Sequence, residues 1–79
     1  MNSNNQILLE VLVFKTNIRY QKDIRKLGPI LNSNKLIEKW NVDTKDLDNI
    51  LRIESSSLKP EDIITLVTSV GYFCEELPD

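Results

Sequence analysis

The stretch Ile7-Leu8-Leu9-Glu10-Val11-Leu12-Val13-Phe14 and the change of period after it decide the fold. β-branched and aromatic residues dominate the run, and it is too short for a buried helix, so it reads as a strand. Its only charge, Glu10, assigns the faces. Alternation then directs Ile7, Leu9, Val11 and Val13 into the core, and puts Leu8, Leu12 and Phe14 on the other face with Glu10.

Beyond Lys15-Thr16-Asn17, read as a loop, Tyr20, Ile24, Leu27 and Leu31 recur at helical spacing. Asn17 or Thr16 supplies the expected N-cap, since either side chain can accept a bond from an orphan backbone N–H. Lys22, Asp23, Arg25 and Lys26 form the solvated face, and Gly28-Pro29 is expected to kink or end the helix. After an Asn32-Ser33-Asn34 loop, Leu36 to Val42 reads as a second strand with Trp40 and Val42 facing the core. The polar run from Asp43 to Asp48 joins it to a third strand, Ile50 to Glu54, in which Leu51 and Ile53 share the inner face. Pro60-Glu61-Asp62 starts a second helix with an apolar stripe of Ile63, Ile64, Val67 and Val70. Gly71 stands where a left-handed C-terminal cap belongs, and Tyr72 to Leu77 closes the chain as a strand.

The order β-α-β-β-α-β predicts an α+β, ferredoxin-like fold: a four-stranded antiparallel sheet with the first and third strands central and both helices on one face. A length of 79 residues is one domain, spanning 1–79. The start from Met1 to Gln6 is polar and uncharged, without the features of a signal peptide, and no apolar run approaches the ~18 residues of a membrane helix. With Cys74 the only cysteine, no internal disulfide can form, which fits a reducing compartment, and the expected location is cytoplasmic. A net charge of −2 and a pI near 5.0 argue against non-specific nucleic-acid binding, so neither nucleic acid nor membrane is expected as a partner.

The chain resembles the heavy-metal-associated domains of copper chaperones and metal-ATPase modules. The resemblance runs from Gln6 to Leu77 and rests on the element order, on Trp40-Asn41-Val42-Asp43 against the family's Val-x-Val-Asp strand, and on Val70-Gly71-Tyr72 against its helix-ending Gly-Tyr. That family carries Met-x-Cys-x-x-Cys between the first strand and first helix, where two thiolates bind a soft ion. Aligned on Ile24 and Leu27, the motif falls on Lys15-Thr16-Asn17-Ile18-Arg19-Tyr20, with Asn17 and Tyr20 at the cysteine positions. Neither offers a thiolate, Arg19 beside them disfavours a cation, and the sequence holds no histidine. The resemblance therefore implies the scaffold without its metal, and no cofactor is expected.

Cys74 alternates inward with Tyr72 and reads as a core cysteine; exposed between two chains, it would instead offer a non-standard metal site. Asp43, Asp46 and Asp48 could ligate a hard cation, but the run lacks the central glycine and closing glutamate of a calcium loop. Without histidine or a phosphate-cradling glycine loop, catalysis is not expected, and the third strand has no aromatic to stack an RNA base. The outer sheet face is expected to gather Leu8, Leu12, Phe14 and Phe73, with Ile50 extending the group. Such a cluster predicts a surface for a homodimer or protein partner, unless the termini fold over it. Small-ligand sensing, known on the same architecture, is a third class.

Overall fold

A computed structural model describes residues 8–78. The elements are β1 (Glu10–Thr16), α1 (Gln21–Asn32), β2 (Lys39–Asp43), β3 (Ile50–Ser55), α2 (Pro60–Ser69) and β4 (Cys74–Glu76). All strand pairs are antiparallel in the order β2-β3-β1-β4, the predicted α+β ferredoxin-like topology with both helices on one face.

The faces of β1 are the reverse of the expectation. Phe14 is fully buried, Leu12 packs against the core, and Val11 is 52% exposed. The register explains why: Phe14 lies opposite Leu51 and Leu12 opposite Ile53, so both must share the helix-covered face that β3 presents. Leu12 and Phe14 thus leave the expected interaction face. Leu8 and Leu9 precede the strand and are exposed, whereas Ile7 and the Asn-rich start lie outside the described residues.

Leu51 and Ile53 of β3, with Trp40 and Val42 of β2, meet Leu27 and Leu31 from α1 and Ile63 and Val67 from α2. Fully burying one such aliphatic side chain contributes about 1.5–3 kcal/mol, so this layer dominates the stability. Ile50 is also buried but stands apart from that cluster.

Helix α1 continues through Gly28-Pro29 to Asn32. Pro29 has no N–H for the Arg25 carbonyl, but both residues are exposed, where water can replace the missing donor. Gly28 is buried against Trp40, whose indole Nε1–H donates to Asn32 Oδ1 at 2.8 Å. Strand β2 begins at Lys39 rather than Leu36, because Asn34 first turns the chain by accepting from the Leu36 N–H through its side chain and the Ile37 N–H through its carbonyl. Strand β4 is only three residues long. The α2 terminus closes as expected: Gly71 has φ +99°, its N–H donates to the Thr68 carbonyl, and the Tyr72 N–H reaches the Val67 carbonyl.

Candidate functional site

Hydrogen bonds fill the corner between β1 and α1, onto which Lys15 to Tyr20 fall. Lys15 and Thr16 belong to β1 rather than to the expected loop. Buried Thr16 donates through Oγ1 to the Asn49 carbonyl at 2.6 Å and accepts from the Ile18 N–H at 3.1 Å. Its own N–H donates to the Asp48 carbonyl, which ties the end of β1 to the β2–β3 hairpin. Asn49 takes φ +47°, a left-handed conformation that asparagine tolerates better than most residues. Ile18 turns fully into the core and anchors the loop from below.

Asn17 Oδ1 accepts from the Phe73 N–H at 2.9 Å, so this side chain orders the start of β4. Tyr20 precedes α1 in extended conformation and is 58% exposed. Neither Thr16 nor Asn17 caps α1. The capping carboxylate is Asp23, whose Oδ2 accepts from the backbone N–H groups of Tyr20 at 3.0 Å and Arg19 at 3.3 Å. Asp62 performs the same service for α2, accepting from the Lys59 N–H at 2.8 Å. An acid at the third helical position reaching back to the cap is a recognisable sequence pattern, and in α1 it outweighed the polar residues upstream.

Asp23 was expected on the solvated face and is nearly buried instead. It receives a third bond, from the Tyr72 hydroxyl at 2.8 Å. The Tyr20 amide and then the Tyr72 hydroxyl hold its carboxyl below the ordinary aspartate range, against the opposing effect of burial. Burial, followed by the bond to Asp23, raises the Tyr72 phenol. Two ammonium groups rest on nearby rings: Lys22 over Tyr20 at 5.8 Å and Lys26 over Tyr72 at 5.7 Å from the centroids. The corner thus offers amide, phenol and ammonium groups, but no thiolate.

Cys74 pairs with Thr16 on the inner face and is 7% exposed. Burial pushes its thiol up to about 11, so it is a protonated core side chain at neutral pH. The hairpin carboxylates are engaged in turns: Asp43 Oδ1 accepts from the Lys45 N–H, Asp46 Oδ1 from the Asp48 N–H, and Asp48 faces Lys15 at 3.7 Å. Among the described residues, no group of three or more His, Cys, Asp or Glu side chains could hold a metal ion. No helix among them is long and apolar enough to cross a membrane.

The outer sheet face has a different membership from the one expected. By register it carries Lys39, Asn41 and Asp43 from β2, Ile50, Arg52 and Glu54 from β3, Val11, Val13 and Lys15 from β1, and Glu75 from β4. Phe73 and Leu77 continue the alternation of β4 on either side of Glu75. Of the four residues expected there, Leu12 and Phe14 lie on the inner face, Leu8 precedes the strand, and Phe73 continues the outer alternation and is 49% exposed.

Neither a family model nor a curated protein matches the sequence. The structure is similar to the apo form of the HMA domain of the copper chaperone for superoxide dismutase, with a TM-score of 0.75, 17% identity, and coverage of 99% of this chain and 76% of that one. It is also similar to the CsoZ metallochaperone, with a TM-score of 0.72, 11% identity, and coverage of 86% of this chain and 99% of that one. The chain therefore has a heavy-metal-associated-like, copper-chaperone-like fold, and its single cysteine leaves it without the Cys-x-x-Cys pair of a thiolate metal site.

Proposed function

We propose that this domain is a non-enzymatic, cytoplasmic interaction module that works without thiolate-bound metal and pairs with a second copy of itself through the open face of the sheet. The composition of that face carries the reading. Val11 and Phe73 are about half exposed, and Val13 and Leu77 are partly covered, with the two valines on β1 and the other two flanking the adjacent β4. A sheet face meant only for water would carry polar residues at these positions. Around them stand Lys15, Lys39 and Arg52 against Asp43, Glu54 and Glu75, three charges of each sign. Charged groups on a surface that meets its own copy about a two-fold axis complement one another only when both signs are present, and this balance supports self-pairing over a strongly charged partner.

Sedimentation equilibrium from micromolar to millimolar protein tests the reading. The average mass should rise towards that of a dimer, and Val11→Lys should remove the rise while leaving the amide spectrum of the fold intact. A single monomer mass over the whole range would overturn it.

A further inference from the structure

Two hydrogen bonds cross between the same pair of segments. Asn17 Oδ1 receives the Phe73 N–H, and Asp23 Oδ1 receives the Tyr72 hydroxyl. One partner of each bond lies in or just after the β1–α1 corner, and the other lies in the α2–β4 turn. Asp23 uses its second oxygen to hold Arg19 and Tyr20 of the same corner. The turn in its turn depends on Gly71, whose left-handed backbone delivers Tyr72 and Phe73 side by side. The short β1–β4 ladder, from Phe14–Glu76 to Thr16–Cys74, ends at these two contacts, whereas the rest of the fold is held by the β1–β3 and β2–β3 ladders and the aliphatic layer beneath them.

We propose that these two contacts clamp the β1–α1 corner and the α2–β4 turn into one unit, which opens and closes together ahead of the remaining structure. Proteins open in contiguous cooperative units smaller than a whole domain, and segments joined largely by exposed hydrogen bonds are among the first to open. Asn17 and Tyr72 are positioning residues in this scheme. Through Phe73, the clamp also sets the corner of the open sheet face, so a ligand or modification at the corner would be felt there.

Native-state hydrogen exchange, resolved by residue, tests the clamp. Tyr72→Phe removes only the bond to Asp23, yet the Phe73 amide, which is bonded to Asn17, should exchange about tenfold or more faster together with Arg19 and Tyr20. Asn17→Ala should in return accelerate Arg19 and Tyr20, whose acceptor is Asp23. Amides at the centre of β3, such as Ile53, should keep their protection in both variants. The proposal is overturned if each substitution affects only the amides bonded to the altered side chain. It is equally overturned if β3 accelerates in step with the corner.

Discussion

The Tyr72 hydroxyl donates to Asp23 Oδ1 at 2.8 Å, joining residues 49 positions apart and tying the end of α2 to the start of α1. The same carboxylate caps α1, where its negative charge also complements the helix N-terminus.

That group makes the stability pH-dependent at both extremes. Asp23 is lowered in the folded state, so its contribution is complete above the ordinary aspartate value of about 3.9 and is lost as the pH falls through the folded value below it. Tyr72 is raised, so its contribution is complete below about 10 and is lost as the pH rises through the folded value. Urea midpoints across pH should show Asp23→Asn with a flattened acid limb and Tyr72→Phe with a flattened alkaline limb. Limbs unchanged from the parent protein would count against these assignments.

Gly28 is a helical glycine with room for a methyl group. A Cβ there would meet Trp40 Cζ2 at 3.5 Å and Cη2 at 3.6 Å, which is ordinary contact. Gly28→Ala should gain helix propensity but crowd its new Cβ against the Pro29 ring, so the two effects should offset and the stability change by less than about 0.5 kcal/mol, measured by urea unfolding. Gly28→Leu should destabilise it by displacing the indole from Asn32.

Gly71 is the opposite case. A Cβ there meets nothing within 4 Å, but φ is +99°. Gly71→Ala should cost roughly 1–2 kcal/mol from backbone strain alone, and Gly71→Asn should cost less. Equal stability of Gly71→Ala and the parent would mean that the turn does not need its left-handed residue.

Cys74 should be nearly inert. With its thiol pushed up to about 11 and its side chain buried, a thiol reagent at neutral pH should label the native protein far more slowly than the urea-unfolded chain. Matching rates would place the thiol at the surface and reopen a site between chains.

The topology was legible because β3, α2 and Gly71 each carry an unambiguous local signal. The faces of β1 were not, since Leu8 to Phe14 is apolar on both alternations and Glu10 is a poor guide. Glu10 pairs with Ser55 at the end of the strand, where solvent reaches it on either face. Pairing the clear alternation of Leu51 and Ile53 with β1 fixes the parity, and that pairing is a tertiary fact. The corner was legible in what it lacks, a thiolate pair, but not in its wiring. Asp23 finds Tyr72 only after the chain has folded back, and no spacing within α1 announces a partner so distant in sequence.

A copper-chaperone-like scaffold that holds Asn17 and Tyr20 in place of a thiolate pair should not bind a soft metal ion at that corner. Titration of the protein with Cu(I) under anaerobic, reducing conditions, followed residue by residue through amide NMR shifts, tests it most directly. No saturable shifts are expected at Asn17, Ile18, Arg19, Tyr20 or Cys74. Saturable shifts that cluster at the corner or around Cys74 would contradict it.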